Sequence, residues 1–305
     1  MKASLIEYFE HTALSYPQKE ALVDSESNLS FSDLKKFAQN LGYFISNKHS
    51  CTNRPVAVYL QKNNNAIVSF IGILYSGNCY APLDLKNPLN RIEAILKNLD
   101  PICIISDSSN SKKLEGLGLD IEVLDIANFL SHKIQAGDQL NYCHCIDRDP
   151  AYIIHTSGST GTPKGVAISH LSIFDYINWA IETFEISEKE IIGNQAPFVF
   201  DNSTLDIYLM MFTGATLHLI PEQLYMFPVK LLEYINSNKV NFIFWVPSVL
   251  INVANLELLD TIKVPLLKKI LFAGEVMPVK NLNYWIKRFG KDVLFANLYG
   301  PTEIT

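Results

Sequence analysis

The chain has 305 residues, 48% of them hydrophobic and 18% charged, with a net charge of −6. That length can bury a large core and predicts two lobes rather than one. The acidic balance argues against a nucleic-acid footprint, which needs a basic face, and no uncharged apolar run is long enough to span a bilayer.

The start, Met1-Lys2-Ala3-Ser4-Leu5-Ile6-Glu7, lacks the apolar core of a signal peptide, so the expected location is cytoplasmic. Cysteine usage agrees with a reducing compartment. Cys51, Cys79, Cys103, Cys143 and Cys145 are odd in number and scattered. Cys143-His144-Cys145 resembles half of a metal site, but no second half follows at usable spacing, and reduced structural thiols are expected.

In chain order, Arg54–Gln61 reads as a buried strand and Asn64–Ser76 as an apolar helix. Cys79–Leu83 is strand-like, Pro88–Leu99 is an amphipathic helix with proline at its start, and Ile102–Ser106 is a further strand. The polar stretch Gln135–Pro150 marks a break, so residues 1–147 and 148–305 are expected to form separate α/β subdomains. Beyond it, strand-like runs at Ala151–Thr156, Ala215–Ile220, Asn241–Val246, Lys269–Ala273 and Val293–Asn297 alternate with helical patterns. Those helices are Leu171–Phe184, Thr204–Phe212, Val229–Asn236 and Val279–Phe289. The alternation predicts an α/β fold of two lobes, with mainly parallel sheets covered by helices.

Ligands in such sheets sit beyond the carboxyl ends of strands. Four loops are expected there on one rim: Thr156–Lys164, Phe198–Ser203, Gly274-Glu275 and Tyr299–Glu303. The first, within Tyr152–Gly165, concentrates backbone N–H groups, hydroxyls and one ammonium on a glycine-rich turn after an apolar strand. That composition suits a polyphosphate. It is not a Walker A loop: Lys164 follows Pro163, no Ser or Thr follows Lys164, and Val166-Ala167-Ile168 is β-like rather than helix-opening. The last loop, Asn297–Glu303, offers an aromatic face, a Gly-Pro turn, a hydroxyl and a carboxylate. It reads either as a stacking and Mg²⁺-ligating loop or as a helix start capped by Thr302.

Taken together, and in this order, the two loops resemble core motifs of the adenylate-forming (AMP-binding) superfamily. Leu74–Asp84 with Pro88 and Arg91, and Leu29–Leu34, resemble the family's early structural motifs. The resemblance implies that Thr156, Ser157, Gly158, Ser159, Thr160, Gly161 and Lys164 bind phosphates. It implies that Gly274, Glu275, Asn297 and Tyr299 bind adenine, that Thr302 contacts the α-phosphate and that Glu303 ligates Mg²⁺. Lys164, Thr302 and Glu303 are then the catalytic set, with ATP and Mg²⁺ as cofactors.

In the amino-acid-activating members, the aspartate at the position of Asp201 pairs with the substrate ammonium; the alternative is that Asp201 caps the helix starting near Thr204. By position Asn202, Leu205, Phe244, Leu271, Ala273 and Leu298 line the side-chain pocket. The wording around Asn194–Ser203, Asp206-Ile207-Tyr208 and Ala273–Val279 is most similar to D-alanine–carrier protein ligases, with nonribosomal peptide synthetase adenylation domains as near relatives. Asn202 and the bulky Phe244 depart from the D-alanine pattern. The implied partners are an amino acid, a phosphopantetheinyl carrier protein and a C-terminal domain supplied in cis or in trans. The family continues through a β-barrel and a lid domain that are not found before Thr305, so the chain is expected to be an incomplete N-terminal portion of low activity. An acyl-CoA synthetase-like ligase and a non-catalytic nucleotide-binding fragment are the alternatives.

Overall fold

The computed structural model describes residues 4–131, 145–156 and 163–304. Its elements begin α1 (Leu5–Ser15), β1 (Glu20–Val23), β2 (Asn28–Ser30), α2 (Phe31–His49), β3 (Pro55–Tyr59), α3 (Asn64–Tyr75) and β4 (Cys79–Pro82). Next come α4 (Leu89–Leu99), β5 (Ile104–Ser106), α5 (Ser108–Glu115), β6 (Val123–Asp125), α6 (Ala127–Leu130), β7 (Pro150–Thr156) and β8 (Lys164–Ser169). They continue with α7 (His170–Phe184), β9 (Ile191–Asn194), α8 (Asn202–Thr213), β10 (Thr216–Leu219), α9 (Pro228–Ser237) and β11 (Phe242–Trp245). The last are α10 (Pro247–Asn255), β12 (Lys269–Phe272), α11 (Val279–Phe289) and β13 (Leu294–Asn297). The expected α/β class and the mainly parallel pairing are both present.

Two compact units result. The first comprises Met1–Gln18 and Leu29–Tyr176, and the second Lys19–Asn28 and Ile177–Ile304. This division differs from the boundary expected at 147/148, and strand pairing is the reason. β7 adds to β4 in parallel through Tyr80 and Tyr152, so the segment after the polar break completes the first unit's sheet instead of starting a new one. Likewise β1 pairs in parallel with β10, which draws Lys19–Asn28 into the second unit.

The first unit holds a six-stranded sheet in the order β6-β5-β3-β4-β7-β8. The β7–β8 pair is antiparallel, and the other pairs are parallel. Local sequence accounts for its helices. Ser30 caps α2 by accepting from the Asp33 amide at 3.1 Å while Phe31 and Leu34 bury, so the Leu29–Leu34 motif acts as turn and packing. Asn63 caps α3, whose residues are almost all buried, as suits a helix apolar on every side. The two helices approach closely at Gly42, where a Cβ would stand 2.6 Å from Tyr75 Cβ. Burial pushes the thiols of Cys79 and Cys103 up to about 12, which makes them inert structural cysteines. Cys143 and His144 lie outside the described residues.

The second unit holds a seven-stranded sheet in the order β13-β12-β11-β9-β10-β1-β2. It is parallel from β13 through β1. One face is filled by Ile243, Trp245, Ile270 and Phe272 with Leu250, Val253 and Trp285 of α10 and α11. Buried indole N–H groups are satisfied: Trp245 donates to the Gly193 carbonyl at 2.8 Å and Trp285 to the Leu250 carbonyl at 3.0 Å. Among the described residues no helix is long and apolar enough to cross a membrane.

Candidate functional site

The strand order of the second unit reverses at one place. The chain steps from β9 to β10 on one side, then returns to place β11 on the other side of β9, and continues outward through β12 and β13. The carboxyl ends of β9 and β11 therefore bound a switch-point crevice, the usual ligand position in an open parallel sheet.

Registration sets what faces that crevice. Phe244 lies opposite Asn194 on β9 and Leu271 on β12, and Leu271 in turn lies opposite Ala296 on β13. Because strand side chains alternate, this row points away from the face occupied by Trp245 and Phe272. It points towards α8, which packs against β9 and β11. Leu205, Phe244, Leu271 and Ala273 are buried, and Asn202 and Leu298 are half-buried.

Asp201 occupies the N-cap position of α8, half-buried, and its Oδ1 accepts from the Asn202 amide at 3.0 Å. Its backbone carbonyl takes the Thr204 hydroxyl at 2.7 Å. The helix begins at Asn202, two residues before the expected start near Thr204.

Polar groups that the motif reading did not single out hold the crevice together. Asn194 Nδ2 donates to Asp206 Oδ2 at 2.9 Å, with both side chains buried. The Tyr225 hydroxyl donates to the Asn194 carbonyl at 3.2 Å, and the Val246 amide donates to Gln195 Oε1 at 3.3 Å. Burial and the nearby Asp206 carboxylate raise the Tyr225 phenol well above its ordinary value, so it stays a donor. The available signal was Asn194-Gln195, a polar pair closing an apolar strand.

The loops after β12 and β13 are open to solvent. Gly274 takes φ +90°, a conformation that favours glycine, and a Cβ there would stand 3.8 Å from Asn202 Nδ2 and 4.0 Å from Val246 Cγ1. Glu275 is exposed, and its Oε2 accepts from the Ser248 amide at 2.8 Å. Asn297 and Glu303 are exposed, Thr302 is half-buried, and Tyr299 is 95% exposed, so the ring is open for stacking. Thr302 and Glu303 sit in a 3-10 turn, Thr302–Ile304.

Lys164 belongs to the first unit. It faces Thr156 across the antiparallel β7–β8 pair, exposed at the end of the hairpin that the glycine-rich loop closes. Ser157, Gly158, Ser159, Thr160 and Gly161 lie outside the described residues. The expectation of four loops on one sheet rim is thus corrected: three follow strands of the seven-stranded sheet, and the glycine-rich loop joins two strands of the six-stranded one. His155, beside Thr156, is held below its ordinary pKa by burial and by the charge of Arg91, so its ring is neutral near pH 7.

Among the described residues no three His, Cys, Asp or Glu side chains converge as a metal cage. The exposed carboxylate of Glu303 is the kind of oxygen donor that fits Mg²⁺, which takes one or two carboxylates and completes its shell with phosphate oxygens and water.

Known proteins align with this arrangement over nearly the whole chain. D-alanine–D-alanyl carrier protein ligases of Bacillus cereus and Bacillus thuringiensis are 31% identical over 310 residues, covering 99% of this chain and 59% of theirs. The chain therefore spans less than two thirds of the length of these relatives. The nonribosomal peptide synthetase FmoA3, in its α-methyl-L-serine-AMP bound form, superposes with a TM-score of 0.88 at 22% identity. That match covers 98% of this chain and 33% of the synthetase. The N-terminal subdomain of Klebsiella oxytoca NpsA, in complex with 3-hydroxybenzoyl-AMSN, superposes at 0.83 with 20% identity, covering 99% of this chain and 74% of that one. These two likenesses establish the fold. The family model described as AMP-binding enzyme matches residues 9–305, and the chain belongs to that family.

Proposed function

We propose that this chain supplies the nucleotide- and substrate-binding part of an adenylate-forming ligase that activates an amino acid for a carrier-protein thiol. The observation that carries the proposal is Asp201, a half-buried carboxylate at the start of α8, the helix that packs on β9 and β11 at the switch-point crevice. A half-buried carboxylate favours a cationic partner, and a substrate ammonium is one. Phe244 and Leu271 fill the crevice floor, which favours a small side chain. D-alanine, the substrate named for the curated relatives, is of that size.

In the proposed first step the amino-acid carboxylate attacks the α-phosphorus of ATP, forming an acyl–phosphate bond and releasing pyrophosphate. The carrier thiol then takes the acyl group, and AMP leaves with the anhydride oxygen. Neither step requires a protein nucleophile, so positioning and charge neutralisation carry the rate. Tyr299 stacks on adenine, Asn297 bonds its amino group, and Gly274 and Glu275 form the wall of that subsite. Lys164 neutralises the β/γ-phosphates with Thr156, Ser157, Gly158, Ser159, Thr160 and Gly161 around it, and Thr302 holds the α-phosphate. Glu303 would hold Mg²⁺, whose chemistry is to offset the negative charge on the phosphates. Asp201 orients the ammonium, while Asn202, Leu205, Phe244, Leu271, Ala273 and Leu298 select the side chain. The phosphopantetheinyl carrier protein and a C-terminal lid domain complete the reaction.

The test is ATP–pyrophosphate exchange across D- and L-amino acids, with the chain joined to the C-terminal portion of a curated relative. Exchange with a small amino acid, lost in Asp201→Ala, is expected. Thioester formation that needs coenzyme A and tolerates Asp201→Ala would instead mark an acyl-CoA synthetase. Nucleotide binding without exchange would mark a non-catalytic module.

A further inference from the structure

The start of α10 has an unusual backbone problem. Its N-cap is Val246, which has no side-chain acceptor, and its first residue is Pro247, which has no N–H. The first helical N–H is that of Ser248, at a position where a helix supplies no partner of its own. Glu275 Oε2 accepts from that N–H at 2.8 Å, and it comes from the loop after β12 rather than from the helix's own flank. The carboxylate also stands at the positive end of the helix dipole.

Two more features lie close to this tether. The Val246 amide, two residues before Ser248, donates to Gln195 Oε1 in the loop after β9. Gly274, the neighbour of Glu275, turns its open face towards Asn202 Nδ2 and Val246 Cγ1. Along its length α10 is pinned to α11: Trp285 donates to the Leu250 carbonyl, and at the far end Asn281 Nδ2 donates to Asn255 Oδ1 at 2.9 Å. α10 is therefore a fixed strut, and Glu275 ties the loop after β12 to its tip.

We infer that Glu275 is a positioning residue, whose carboxylate on the Ser248 amide fastens the loop after β12 to α10 and so presets the adenine-facing wall beside Asn202. This rests on the nucleotide-site reading above and assigns Glu275 a way of acting: it binds protein backbone, and the loop's backbone meets the nucleotide.

The test uses the 305-residue chain and two readouts. Residue-resolved amide exchange without nucleotide should show Ser248 exchanging about tenfold faster in Glu275→Ala, with the interior α10 amide of Leu250 unchanged and Glu275→Gln recovering most of the protection, as loss of one charge-assisted hydrogen bond implies. Calorimetric titration with Mg·ATP should show a Kd raised about fivefold in Glu275→Ala and largely recovered in Glu275→Gln, a shift of roughly 1 kcal/mol. An unchanged melting temperature keeps the comparison within the folded state. Ser248 exchange indifferent to Glu275→Ala overturns the tether. Faster exchange with unaltered Mg·ATP affinity overturns the positioning role, and so does equal loss in the Gln and Ala variants, which would indicate direct charge contact with the ligand. If the wild-type chain binds no Mg·ATP, the nucleotide-site reading fails and the positioning role with it, while the exchange data alone decide whether the tether exists.

Discussion

The carboxamide of Asn194 and the carboxylate of Asp206 meet at 2.9 Å, both fully buried, beneath the point where the strand order of the seven-stranded sheet reverses. The pair joins the end of β9 to the second turn of α8, the two elements that flank Asp201. Removing one partner leaves the other desolvated, and that costs more than the pair's net contribution. Asp206→Ala is expected to destabilise the chain by about 2 kcal/mol in urea denaturation. Asp206→Asn, which keeps an acceptor, should lose less.

A second prediction concerns pH. Burial holds the imidazole of His170 down to about 4, against the upward pull of Asp149 and Asp147. The Leu5 amide donates to its Nδ1 at 3.1 Å, so the neutral ring carries its hydrogen on Nε2, 3.2 Å from Cys145 Sγ. In the unfolded chain this histidine binds its proton near pH 6.5, whereas the folded chain resists until about 4. Between those values the unfolded state holds more protons. Stability is therefore full above about pH 6.5 and falls as the pH drops towards 4, by roughly 3 kcal/mol from this residue. His155 and His218 shift in the same direction. Urea titrations at pH 7 and pH 4.5 check this. His170→Gln, which can still accept from Leu5 but does not titrate, should flatten part of the slope.

Close helix packing gives a third. At Gly42 an added Cβ would lie 2.6 Å from Tyr75 Cβ and 2.8 Å from the Gly72 carbonyl, and neither is the end of a flexible side chain. Gly42→Ala should force α2 and α3 apart and lower stability by about 2 kcal/mol, although alanine is the better helix former. A melting temperature equal to that of the wild type would contradict the packing described.

Lys164 supplies the fourth. It is exposed at the loop end of the β7–β8 hairpin, so Lys164→Ala should leave the melting temperature unchanged. In an enzyme completed with a C-terminal portion it should slow pyrophosphate formation by about a hundredfold, the range seen for loss of one transition-state charge contact. An unaltered rate would remove its assigned role.

Long periodic segments were legible in the sequence, and α11 occupies Val279–Phe289 as its pattern predicts. The apolar runs around Phe244 and Leu271 were legible too, and both lie in adjacent, in-register strands of the seven-stranded sheet. β1 and β2 were not, since four- and three-residue strands between polar turns carry too few alternations to register. The subdomain boundary was misplaced because the Tyr80–Tyr152 pairing is non-local. The roles of Gln195 and Glu275 escaped for a related reason. Each side chain binds a backbone N–H far away in sequence, and the sequence does not mark which amide it will reach.

The placement of β1 also bears on how the molecule is made. Leu22 lies opposite Leu217, so this strand emerges from the ribosome with only β2 beside it, and its other edge stays open until β10 has been synthesised. Glu20–Val23 is short, has a charged residue at its start, and is preceded by Lys19, whose ammonium ends up on the Glu188 and Gly214 carbonyls. Shortness and charge are the features that keep a waiting strand from pairing with another chain. A copy begun at residue 29 would lack this strand, and β10 would be left with an open edge for another molecule to fill.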